Sequence, residues 1–196
     1  MKLVVGLGNP GERYRRTRHN VGFQAIEHFA EQLGHGRWSK HGEGLVQDVR
    51  LSGEKVKLLL PQTYMNRSGR SVRGVLDYFK IPVSELIVVC DDVDLPTGQL
   101  RIRPSGGSGG QRGLADVCKS VGSNEIARLR IGVGAPDRTR QETADYVLSP
   151  FSGSEATLIQ SAMERTTQAL RCWVQHGLQK AMNEYNRKWS SEEQPS

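Results

Sequence analysis

Leu86-Ile87-Val88-Val89-Cys90 is an unbroken apolar run with no polar residue at alternate positions. A strand of that kind is buried on both faces and belongs at the centre of a sheet. Such a sheet needs a layer above and a layer below, and helical periodicity elsewhere supplies them. Val21, Phe23, Ile26, Phe29, Ala30 and Leu33 predict a helix over 20–33, with Asn20 as N-cap and Gly34 as its stop. Val72, Val75, Leu76 and Phe79 predict a second helix ending near Lys80, and Leu114, Val117 and Val121 a short third. The capping box Ser152-x-x-Glu155 opens the longest helix, which reaches about Leu178 or beyond.

Further strands are expected at 3–5, 45–51, 55–60, 99–103 and 129–133, with Ser52-Gly53 turning a hairpin between the second and third. The polar segment 34–44 reads as a loop. Strands alternating with helices give a single-domain, three-layer α/β/α architecture around a twisted, mixed and largely parallel sheet. The domain is expected to span 1–187, and the polar, charged residues 188–196 to form a disordered tail.

The length of 196 residues suits one such domain, and the net charge of +6 favours an anionic partner such as nucleic acid. No apolar run reaches membrane-spanning length and Met1-Lys2 leads straight into a strand, so a cytoplasmic protein without a membrane partner is expected. Cys90, Cys118 and Cys172 are far apart and form neither a CxxC pair nor a zinc pattern; buried thiols and no metal are expected.

The first strand runs into Gly6-x-Gly8-x-x-Gly11, the spacing of a dinucleotide-binding turn. Pro10 lies within that motif, the residues 12–18 after it have no apolar helical face, and Glu27 falls inside a later helix rather than at a strand end. These features favour a strand-end loop over a nucleotide site. Asp91, Asp92 and Asp94 follow the central strand and fit either a divalent metal or one carboxylate orienting a histidine while the others cap a turn. His19 follows the first strand, so it and Asp91 converge at one edge of the sheet. A histidine backed by a carboxylate is a general base, and no GxSxG elbow supplies a serine nucleophile, so the base would activate water. The side-chain amides of Asn9 and Asn66 can bind a peptide backbone or stabilise their own turns. Arg13, Arg15, Arg16 and Arg18 form one basic set, and Arg101, Arg103, Arg128 and Arg130 another; together they suggest a phosphate-backbone surface.

Gly6-Leu7-Gly8-Asn9-Pro10-Gly11 with Tyr14 and Thr17-Arg18-His19-Asn20, then Pro61-Gln62-Thr63-Tyr64-Met65-Asn66, Asp91-Asp92-Val93-Asp94-Leu95-Pro96 and Arg128-Leu129-Arg130-Ile131-Gly132-Val133-Gly134, occur in the order of bacterial peptidyl-tRNA hydrolases. The chain resembles that family over nearly its whole length. The resemblance implies a monomeric, cofactor-free cytoplasmic esterase. It would cleave the bond between a peptide, or an N-blocked amino acid, and the 3′ ribose of tRNA, engaging the acceptor stem and the 3′ CCA end. It implies that His19 activates water with Asp91 as its partner, and that Asn9, Tyr14, Met65 and Asn66 bind substrate. Arg103 and Arg130 would hold the tRNA 5′ phosphate.

The family usually carries His-Asn where this chain has Gln111-Arg112, two further substrate-binding positions by resemblance. Glutamine keeps a hydrogen-bond donor but exchanges no proton near neutral pH, and arginine replaces a neutral amide with a fixed charge. The expectation is retained hydrolysis, with any effect falling on affinity. The alternative is a non-catalytic RNA-binding relative of the splicing-factor kind.

Overall fold

In the computed structural model, which describes residues 1–34, 36–136 and 142–187, β1 (Lys2–Gly6) and β5 (Leu86–Asp92) run side by side in parallel. Leu3 stands opposite Leu86 and Val5 opposite Val88. β4 (Glu54–Pro61) flanks β1 and β7 (Ala127–Gly132) flanks β5, both parallel to their neighbours. β2 (Ser39–His41) and β3 (Gly44–Leu51) extend one side antiparallel, and β6 (Leu100–Arg103) closes the other. The seven-stranded order is β2-β3-β4-β1-β5-β7-β6.

Because strand side chains alternate, each central strand feeds two cores. Leu3, Val5, Val88 and Cys90 pack with Val72, Val75 and Leu76 of α2 (Ser68–Phe79) and with Leu114 and Val117 of α3 (Arg112–Val121). Val4, Ile87, Val89, Leu129 and Ile131 face the opposite core. There they meet Ile26 and Phe29 of α1 (Val21–Gln32), together with Ile159, Leu170 and Trp173 of α5 (Gly153–His176). The three layers expected from periodicity are therefore present. Cys90, Cys118 and Cys172 are buried free thiols, and no helix of the described residues is long and apolar enough to cross a membrane.

Several local expectations change. The segment 34–44 is not all loop: Ser39–His41 pairs with β3, an edge strand too short and too polar to show a period-two pattern. The long carboxyl-terminal helix is two, because Gly177 adopts φ 86° between α5 and α6 (Leu178–Tyr185). A short α4 (Thr143–Val147) precedes α5. The hairpin between β3 and β4 is as expected, with Ser52 and Gly53 both at positive φ, as a two-residue I′ turn demands. The expected tail, 188–196, lies outside the described residues.

The glycine spacing after β1 serves packing. A Cβ on Gly22, in the first turn of α1, would stand 2.5 Å from the carbonyl oxygens of Leu7 and Val89, and one on Gly6 would strike the Gly22 carbonyl. The start of α1 therefore lies directly on the ends of β1 and β5, and the turn before it hangs over the carboxyl edge of the sheet.

Candidate active site

Between β1 and α1 the chain makes two 3-10 turns, Glu12–Tyr14 and Arg18–Asn20, and the second carries His19. Both of its neighbours are anchored. Asn20 occupies the N-cap position of α1 but its side chain makes no capping bond, contrary to the sequence expectation. It reaches back instead: its Oδ1 accepts from Asn9 N–H and its Nδ2 donates to Asn9 C=O, both at 2.9 Å. The loop is thereby closed by a pair of bonds that a helix cap would have left unmade.

Arg18 is buried, 6% exposed, and so is not part of a solvated basic loop. Its guanidinium meets Glu155 of α5 in a two-pronged contact of 2.6 and 2.8 Å and donates to Val133 C=O at 3.0 Å. The rings of Tyr146 and Phe151 lie 4.3 and 4.8 Å from it. The hydrogen bonds from Arg18, ahead of those from Ser152, hold Glu155 well below the usual carboxylate range, at about 2. Glu155 also accepts the Ser152 N–H at 2.9 Å and its hydroxyl at 2.7 Å, so one carboxylate caps α5 and anchors the residue before His19.

His19 Nδ1 lies 2.8 Å from Asp91 Oδ2 at the end of β5. An ionised carboxylate only accepts, so it sets the proton on Nδ1 and leaves the Nε2 lone pair free. Nε2 has no hydrogen-bond partner among the described residues. The other Asp91 oxygen, Oδ1, accepts from Gln111 Nε2 at 2.9 Å. Gln111 is itself buried; its Oε1 accepts the Leu114 N–H at 2.7 Å as the N-cap of α3, and its Nε2 lies 3.2 Å from Met65 Sδ. Met65 N–H donates to Asn9 Oδ1 at 2.8 Å, and the Asn9 Nδ2 donor has no partner among the described residues. Asn9, His19, Met65, Asp91 and Gln111 are thus brought together from four strand ends or helix starts.

The remaining candidates sit differently. Asn66 is exposed, one residue along the same turn as Met65. Tyr14 is half-buried with the Arg13 guanidinium 4.5 Å from its ring centre. Arg112 is exposed at the start of α3.

The acidic triplet divides: Asp91 serves His19, Asp92 pairs with Arg130 at 3.0 Å and accepts the Asp94 N–H at 2.9 Å, and Asp94 is exposed. No group of three metal-ligating side chains occurs among the described residues.

On β6 and β7 the register sets Arg101 opposite Arg130 and Arg103 opposite Arg128, so all four share the sheet face opposite Leu129 and Ile131. They are not equivalent. Arg128 is fully buried and donates to the carbonyls of Gly106, Gly107, Asn124 and Ile126, which makes it the strut of the glycine loop and removes it from the phosphate set. Arg130 adds a bond to Gly107 C=O at 2.7 Å, and Arg103 is exposed.

Sequence reading missed Asn20, Arg18 and Glu155 as supports. The capping box did single out Glu155, but nothing local reveals that its carboxylate also receives Arg18.

A mixed α/β sheet carrying a buried carboxylate–imidazole pair at its strand ends has the layout of a general-base hydrolase. The peptidyl-tRNA hydrolase family profile matches residues 3–194. Peptidyl-tRNA hydrolase of Syntrophomonas wolfei is 45% identical over 186 residues, covering 95% of this chain and 100% of the relative. That of Rhodopirellula baltica is 44% identical, covering 95% and 97%. The crystal structure of peptidyl-tRNA hydrolase from Acinetobacter baumannii matches with a TM-score of 0.89 at 34% identity, over 95% of this chain and 94% of that one. The chain belongs to the peptidyl-tRNA hydrolase family and is an enzyme of that type; nothing found favours a non-catalytic relative.

Proposed function

We propose that His19, seated on Asp91, activates the water with which this enzyme hydrolyses the ester joining a peptide to the 3′ ribose of tRNA. The observation that carries the assignment is the 2.8 Å contact between Nδ1 and Asp91 Oδ2, with Nε2 unpaired among the described residues. Nε2 takes a proton from water as the water oxygen bonds to the ester carbonyl carbon. Asp91 stabilises the resulting imidazolium. The C–O bond to the ribose then breaks, and Nε2 returns the proton to the ribose oxygen, yielding free tRNA and a peptide acid that ionises to its carboxylate by releasing a proton to solvent. An imidazole base accounts for this reaction without a cofactor.

The Nδ2 donor of Asn9, whose Oδ1 is taken by Met65, and the exposed side chain of Asn66 bind the peptide and the attacking water, while Tyr14 and Met65 shape the cleft. Arg112 lies at its rim and meets substrate. Arg103 and Arg130 share one sheet face and contact the tRNA 5′ phosphate, with the acceptor stem running along β6 and the 3′ CCA end over the dyad in this reading. The enzyme acts as a monomer in the cytoplasm.

The test is release of free tRNA from an N-blocked aminoacyl-tRNA by wild type and His19→Ala at matched RNA occupancy. A loss of about 10²-fold or more in the variant is expected. Equal turnover would remove His19 from the reaction.

A further inference from the structure

Gln111 stands where the family resemblance anticipates a substrate contact, yet both ends of its amide are used inside the protein. It is 7% exposed, with Nε2 on Asp91 Oδ1 and Oε1 on the Leu114 N–H. Asp91 is 4% exposed, and among the described residues its side chain receives hydrogen bonds only from His19 and Gln111. A buried carboxylate with one oxygen unheld would rotate about its terminal torsion, and with it the direction of the bond to His19.

We propose that Gln111 is a positioning residue for the hydrolysis, acting through Asp91: its amide holds Oδ1 so that Oδ2 stays aligned with His19 Nδ1. This rests on the assignment of His19 and Asp91 above. The donor is unusually well placed. Its carbonyl end accepts a peptide N–H at the positive end of α3, which polarises the amide and strengthens N–H donation at the other end. Unlike an imidazole in the same place, it cannot ionise, so Oδ1 is held at every working pH.

Among the described residues, the other charged or titratable groups nearby include the Cys90 thiol and Asp92 on the same strand, with Arg130 on β7 paired to Asp92, and Arg112, next to Gln111 on α3; Arg18, behind His19, is paired with Glu155. None of these donates to Asp91. The Gln111 contact with Met65, whose own N–H is held by Asn9, joins the carboxylate to the peptide side of the cleft.

The experiment measures kcat and KM for tRNA release from an N-blocked aminoacyl-tRNA. It compares wild type with His19→Ala, Asp91→Asn, Gln111→Leu, Gln111→His, Gln111→Glu and the Gln111→Leu/Asp91→Asn pair. Gln111→Leu should lower kcat by about tenfold or more with KM close to wild type, since a buried acceptor loses its donor. That loss should vanish in the Asp91→Asn background, and Gln111→His, which restores a donor, should recover turnover. Gln111→Glu keeps an acceptor for Leu114 but sets a second carboxylate against Asp91; it should raise the pH of the acid limb of kcat/KM by favouring protonated His19, and it carries the test should Gln111→Leu not fold.

A rise in KM with kcat unchanged would overturn the proposal and make Gln111 a substrate contact. An equal loss with and without Asp91, or an unmoved acid limb in Gln111→Glu, would overturn it as well. Wild-type turnover in His19→Ala and Asp91→Asn would instead refute the dyad on which the proposal rests, an outcome distinct from intact dyad dependence with an inert Gln111.

Discussion

Arg18 and Glu155, 137 positions apart in the chain, form a two-pronged ion pair of 2.6 and 2.8 Å that ties the residue preceding His19 to the first turn of α5. Arg18 is almost wholly buried between two aromatic rings, so its charge has no alternative partner in water. Removing Glu155 strands that charge and deletes a helix cap together.

Glu155→Ala should therefore cost about 3 kcal/mol or more of stability, and Glu155→Gln only somewhat less at neutral pH, because its one amide oxygen keeps an acceptor but leaves the buried Arg18 charge without a counter-ion. Denaturant unfolding measures both. Turnover should fall in step with the lost anchor, because the displaced turn carries His19.

The same pair sets an acid response. The ordinary glutamate value is 4.5, and in the folded chain Glu155 is held at about 2, first by the Arg18 hydrogen bonds. Above 4.5 the carboxylate is ionised folded or unfolded, and the pair's stabilisation is fully present. Between 4.5 and about 2 the unfolded chain binds a proton that the folded one resists, so stability is lost as pH falls. Wild type and Glu155→Gln should converge in unfolding free energy across that window, and curves that stay parallel would contradict the assignment.

Gly22→Ala should damage both stability and turnover. Its Cβ would press on the Leu7 and Val89 carbonyl oxygens at 2.5 Å, which are backbone and cannot swing aside. Lifting the start of α1 should cost about 1–3 kcal/mol and carry the His19 turn off Asp91. A variant that loses stability but keeps wild-type kcat would show that α1 does not set the position of His19, the proposed base.

Among the four arginines on the β6–β7 face, accessibility predicts distinct phenotypes. Arg103→Ala should weaken tRNA binding and reduce the slope of log K against log salt by about one, with unfolding unchanged. Arg128→Leu should destabilise the protein by removing the side-chain donor to the carbonyls of Gly106 and Ile126 and one of two donors to each of those of Gly107 and Asn124. Binding titrations at several salt concentrations, beside melts of the same variants, separate the two effects.

The sequence by itself determined the layers, the central strand, the hairpin at Ser52-Gly53, the capping box and the family. Each is written in local periodicity, in turn chemistry, or in motifs that survive as short strings. It also singled out His19 and Asp91 as candidates for the chemistry, because both follow strands and strand ends converge. Tertiary structure alone decided how the polar groups pair. Asn20 abandons its helix cap for Asn9, Gln111 turns inward to Asp91, Arg18 crosses to Glu155, and Arg128 is buried while Arg103 is not. The reason is physical: a hydrogen-bond donor carries no record in its own segment of the acceptor it will meet, and burial of a charged side chain depends on what distant residues fold over it.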